Sequence, residues 1–214
     1  MPGPSLRALT AATGLALAAC ASSTPSAREP AMSTSASTTS PRRSMPVKQW
    51  PLKFKSHKFG AHCYSTYGCK VVYAGLEQRG DDPDELRPSS EGYGPDYQRN
   101  WSGTHAMIRN FPPPAQVSWR SKDGEAHTAE IDIGELFADE VILHNVKREE
   151  MADVPDGEFR NDEPAILLEV NDRTIRVYMR AHIPTKELQK PGNRYSDFRN
   201  DLILVKTYTS TAVT

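Results

Sequence analysis

Residues 117–133 read VSWRSKDGEAHTAEIDI. Val117 and Trp119 alternate with Ser118 and Arg120, and Lys122-Asp123-Gly124 then supplies a tight turn. Beyond the turn, His127, Ala129, Ile131 and Ile133 alternate with Thr128, Glu130 and Asp132. A period of two on both sides of a glycine turn specifies a β-hairpin with one buried and one wet face. Residues 166–183 repeat the pattern. Ile166, Leu168 and Val170 lead into Asn171-Asp172, after which Ile175, Val177, Met179, Ala181 and Ile183 alternate with polar neighbours and Tyr178.

Outward from these hairpins, strands are expected at Phe54–Phe59, Lys70–Ala74, His105–Arg109, Val141–Val146 and Leu202–Tyr208. Helical periodicity is scarce. Short helical turns are expected only at Thr185–Gln189 and Ser196–Arg199, each opened by a hydroxyl that can cap. The sum is an all-β domain, a β-sandwich or partly open barrel of about nine short strands with one long loop. That loop, residues 76–100, is rich in carboxylates, Pro and Gly, carries Tyr93 and Tyr97, and runs into Trp101. Tyr- and Gly-rich loops form adaptable binding surfaces, which makes Glu91, Tyr93, Asp96, Tyr97 and Trp101 candidate partner contacts. The same composition also fits a disordered insertion whose aromatics merely fold back on the core.

The 214 residues are long enough for a substantial core, and 37% of them are hydrophobic. With 26 basic and 27 acidic side chains there is no electrostatic footprint for nucleic acid. No apolar run reaches the roughly eighteen residues of a membrane-spanning helix. Residues 1–20, MPGPSLRALTAATGLALAAC, place Arg7 before an uncharged, largely apolar run, the pattern of a short secretory signal. Its end, Leu17-Ala18-Ala19-Cys20, resembles the lipobox of bacterial lipoproteins. The resemblance implies cleavage after residue 19 and acylation of Cys20, with two or three chains giving stable membrane attachment. Ala21 and Ser22 follow, with no Asp to retain the chain at an inner membrane, so the implied location is the periplasmic face of an outer membrane. Residues 20–45, dominated after Cys20 by Ser, Thr, Ala and Pro, read as a disordered tether spanning roughly 25–30 Å on average. Residues 46–214 then form a single β domain.

Chemistry is harder to find. Cys63 and Cys69 lie six apart in CYSTYGC and read as a disulfide in an oxidising compartment, around a turn at Ser65–Gly68. A free thiol pair or a metal site are the rival possibilities, and no second Cys pair or His cluster supports either. The six histidines are scattered, without a His-Glu-x-x-His motif, so no metal is expected. Gly-x-Ser-x-Gly, Ser-x-x-Lys and phosphate-loop motifs are absent from the sequence. Glu130 and Asp132 share a wet strand face, which is more simply a solvated edge than an acid–base pair. The expectation is a binding protein without a cofactor, not an enzyme.

The stretch IRNFPPPAQVSWRSKDG at 108–124, with Ile131-Asp132-Ile133 and Val141-Ile142-Leu143-His144, is similar to immunity lipoproteins paired with phospholipase effectors of the type VI secretion system. Those proteins share a proline-marked strand, a Val-x-Trp hairpin strand and a lipobox leader. The resemblance implies a lipid-anchored inhibitor whose partner is a cognate effector toxin of the lipase type. The alternative is a structural or assembly lipoprotein of the envelope or of a secretion machine.

Overall fold

A computed structural model describes residues 43–160 and 163–210. The leader, Cys20 and most of the tether lie outside the described residues. In chain order the strands are β1 (Ser44–Met45), β2 (Ser56–Tyr64), β3 (Thr66–Tyr73), β4 (Leu76–Gly80), β5 (His105–Arg109), β6 (Ala115–Ser121) and β7 (Ala126–Ile131). They continue as β8 (Val154–Pro155), β9 (Ala165–Asn171), β10 (Thr174–Arg180), β11 (Ile183–Pro184), β12 (Phe198–Arg199) and β13 (Leu202–Thr209). One short helix, α1 (Ile133–Leu136), and a 3-10 turn at Ser90–Tyr93 complete the list.

Nine of these strands build two sheets, β13-β10-β9-β2-β5 and β4-β3-β6-β7, in an all-β, sandwich-like arrangement that does not close into a barrel. The expected hairpins are both present. β6 pairs with β7 in the register Val117↔Ala129 and Trp119↔His127, and β9 pairs with β10 in the register Leu168↔Val177. Ala115, Val117, Trp119 and Ser121 point inward along β6 while Gln116, Ser118 and Arg120 face out. The side chains filling the space between the sheets include Phe59, Ile166, Leu168, Val170, Val177 and Met179 from one side. Val71, Tyr73, Val117 and Trp119 meet them from the other. The two hairpin turns dock at one end: Trp119 Nε1 donates to the Asp172 carbonyl at 2.7 Å, and Arg173 pairs with Asp123 and Glu125.

The chain passes from one sheet to the other at Ser65, which takes a left-handed φ of 51°. β2 and β3 therefore flank a corner rather than a hairpin, since β2 pairs with β9 in parallel and β3 with β4 and β6. The Cys63–Cys69 disulfide, buried at both ends, ties the two sheets together at this corner.

Several local expectations need correction. Val141–Val146 forms no ladder; Val141 makes one bridge to Lys53, while Ile142 and Val146 are buried in an extended segment. Its apolar run records burial and not strand pairing. Thr185–Gln189 and Ser196–Arg199 are not helical: Phe198–Arg199 is β12, paired with β11, and the Ser196 hydroxyl accepts from Lys190 N at 2.9 Å. The helical segment falls instead at α1, where the Asp132 side chain caps by accepting from Glu135 N at 2.9 Å. Within the 76–100 loop, Leu76–Gly80 is an edge strand whose single buried residue is Gln78, so its polar composition concealed it. The last tether residues also enter the fold, as Ser44–Met45 pairs with Val154–Pro155.

The disulfide closes a loop of about seven residues, for which chain entropy gives about 2 kcal/mol of stabilisation. Cys63→Ala/Cys69→Ala should lower the unfolding free energy in urea by that amount. An unchanged midpoint and slope would show that the corner needs no covalent tie.

Candidate functional site

β9 is an apolar strand with one carboxylate in it: AILLEVN, residues 165–171. Alternation alone sends Leu167 and Glu169 to a wet face, yet both are 0% exposed. The cover is the end of the long loop, which lies across the outer face of β9 and β10. Trp101, Ala165, Leu167 and Tyr178 form a second, smaller apolar cluster, with Tyr64 and Tyr97 packed against it.

A buried carboxylate is tolerated only when donors replace its water. Tyr97 donates to Glu169 Oε1 at 2.8 Å and Tyr178 to Oε2 at 3.1 Å. Asn171 Nδ2 reaches Oε1 at 3.3 Å, and Arg176 Nη1, partly exposed, reaches Oε2 at 3.3 Å. Gln98 Nε2 closes the network by donating to both tyrosine hydroxyls, at 3.1 and 2.9 Å. Burial, reinforced by the Glu169 charge, pushes the Tyr178 phenol up to about 12 and raises that of Tyr97 further. Both remain protonated at neutral pH and serve as donors. Glu169 is thus the acceptor that clasps the loop to the sheet.

Two further contacts hold the segment. Asn171 Nδ2 donates to Ser90 Oγ at 2.9 Å, fixing the 3-10 turn. Arg180 donates to the carbonyls of Gln98, Arg99 and Trp101 at 3.0, 3.2 and 2.6 Å. Aromatic rings fill the space: His62 stacks on Trp101 with centroids 4.4 Å apart, and Trp101 Nε1 donates to Tyr64 OH at 3.1 Å. Tyr64 meets Tyr93 and Tyr97 edge-on at 5.8 and 5.4 Å. Burial, aided by the Arg79 and Arg180 charges, lowers the His62 imidazole to about 4.

The five candidate contacts separate accordingly. Tyr93, Tyr97 and Trp101 come together around Tyr64. Trp101 is 6% exposed and Tyr97 is half-buried in the clasp, so for these two the fold-back description holds. Tyr93 is 55% exposed, and Glu91 and Asp96 are exposed beside it in sequence. These three form the outward surface. Glu169, Gln98, Tyr178 and Arg180 were not singled out from the sequence; the available signal was a lone carboxylate inside an apolar strand. Cys63, Cys69 and Asp81 place ligand atoms within 4.8 Å of one another, but the sulfurs are bonded to each other and Arg79 pairs with Asp81 at 2.5 Å.

No protein-family model, no curated protein and no solved structure matches this chain.

Two outcomes follow from the geometry. Glu169→Gln removes the charge that four donors address and should cost about 1–3 kcal/mol in urea unfolding at pH 7; stability within experimental error of the parent would contradict the clasp. For His62, the unfolded chain takes up a proton below its ordinary value of 6.5, whereas the folded chain resists protonation until about 4. Stability therefore falls as pH drops across that window. His57 and His144, also lowered by burial, act in the same direction. His62→Phe keeps the ring on Trp101 without the titration, so its melting temperature should fall less between pH 7 and pH 4 than that of the parent. Parallel profiles would remove His62 from this account.

Proposed function

We propose that this chain is a lipid-anchored recognition protein of the cell envelope that binds and neutralises an antibacterial effector, of the phospholipase kind that the resemblance implies. The observation that carries the recognition role is the clasped loop. Glu169, Asn171 and Arg180 hold residues 90–101 in one arrangement, so that Tyr93, Glu91 and Asp96 are offered to a partner with little ordering cost left to meet. An exposed tyrosine flanked by carboxylates, backed by buried rings, suits a partner with a basic rim around an apolar pocket. A stable complex needs an interface of about 1,600 Å², so the loop would be the centre of a wider patch. Acylation at Cys20 would keep this surface at the membrane where a lipid-degrading toxin acts, raising its local concentration.

The test is protection. Cells expressing the chain should survive delivery of a phospholipase effector encoded beside its gene, and the purified proteins should form a stable complex. Glu91→Lys/Tyr93→Ala should weaken that complex by about 2 kcal/mol or more while lowering the melting temperature only slightly, because Glu91 is exposed and Tyr93 loses only its edge-on contact with Tyr64. Full protection by that double variant would remove the loop from the interface. Capture of envelope assembly components, with no protection by the parent chain, would favour the structural role instead.

A further inference from the structure

The chain as a whole is almost neutral, at a formal −1, yet one cleft is not. It has a volume of about 600 Å³ and lies between the end of the clasped loop and the excursion that joins β11 to β12. Four cations line it, Arg99, Arg180, Lys190 and Arg199, against one carboxylate, Asp201. Arg199 is committed to Asp201 at 2.7 Å. Among the described residues, Arg99, Arg180 and Lys190 have no acidic partner.

We propose that this cleft is a binding site for a phosphate-bearing ligand. Arg99 and Lys190 are exposed on opposite walls and free to converge on one anion, as guanidinium and ammonium groups do on phosphate oxygens. Arg180 is fixed at the back by three main-chain carbonyls, and their dipoles do not cancel its full positive charge. Burial lowers its pKa, and no carboxylate pairs with it among the described residues, so its charge is left for a ligand to meet. Asn193 and Asn200 add neutral polar groups. The volume exceeds that of a bare phosphate, so an ester with an organic group fits, and Tyr195, 68% exposed, offers that group a ring.

Both walls are built rather than loose. Arg180 holds the carbonyls of 98, 99 and 101 on one side. On the other, Ser196 Oγ accepts from Lys190 N at 2.9 Å and donates to Asn193 O at 2.7 Å, and Gln189 N bonds Ser196 O at 2.7 Å. The backbone that carries Arg99 and Lys190 is therefore fixed on either side of the cleft, while their exposed side chains can turn toward one anion, which would offset the charge that lines it.

The test uses the full chain carrying Cys20→Ser, so that no acyl group contributes. Calorimetric titration with inorganic phosphate and with glycerol phosphate should show saturable binding at about 1 mM or tighter. Arg99→Glu/Lys190→Glu should weaken it about tenfold or more, whereas Lys48→Glu, the same kind of charge change on a distant exposed residue, should not. Arg99→Ala/Lys190→Ala serves if the charge reversal unfolds the chain. Sedimentation with phosphatidylcholine vesicles, with and without phosphatidylglycerol, separates the sources. Binding to anionic vesicles with the same sensitivity to Arg99 and Lys190 identifies a lipid headgroup, and binding of the soluble compounds alone identifies a free phosphate ester. No saturable binding of phosphate, ester or anionic vesicles, or equal weakening by Lys48→Glu, would overturn the proposal.

Discussion

A carboxylate withdrawn from water must be supplied with donors, and Glu169 meets that requirement by drawing a surface loop onto a sheet. Without the loop, Leu167 and Tyr178 would face solvent and Glu169 would lose its Tyr97 donor. With it, the five-stranded sheet is covered on both faces over β9 and β10, and the loop acquires one fixed arrangement. The cost of burying one charge is offset by charge-assisted hydrogen bonds and by the apolar surface that Trp101 covers.

The inward faces of the two hairpins pack together between the sheets, and there the sequence was most readable. In 117–133 and 166–183 the side-chain period and the turn residues agree, and the registers follow. Where apolar spacing and backbone pairing part company, reading failed: Ile142 and Val146 are buried without a ladder, and Leu76–Gly80 pairs with β3 almost without apolar residues. Glu169 was illegible for a related reason. Alternation describes a sheet with one wet face, and it cannot foresee that a loop some seventy residues earlier, ending in Gln98 and Trp101, covers the other. The aromatic content of that loop was visible, but not its division: Trp101 and Tyr97 fold inward and Tyr93 is exposed.

The same segment also forms one wall of the cationic cleft. Residues 98–101 are held by Glu169 through Tyr97 and Gln98 and by Arg180 through three carbonyls. The proposed partner surface at Glu91–Asp96 and the proposed phosphate site at Arg99 therefore share a support.

All of this rests on residues 90–101 behaving as part of the folded sheet. Amide hydrogen exchange measures that directly. The main-chain N–H groups of Tyr97, Arg99 and Trp101 are bonded to the carbonyls of Gly94, Asp96 and Gln98 beneath the clasp. They should exchange orders of magnitude more slowly than an unstructured chain, with protection approaching that of β9 and β10. Exchange at the rate of an unfolded peptide would mean that the loop is not held, and that Glu169 is not what organises this face.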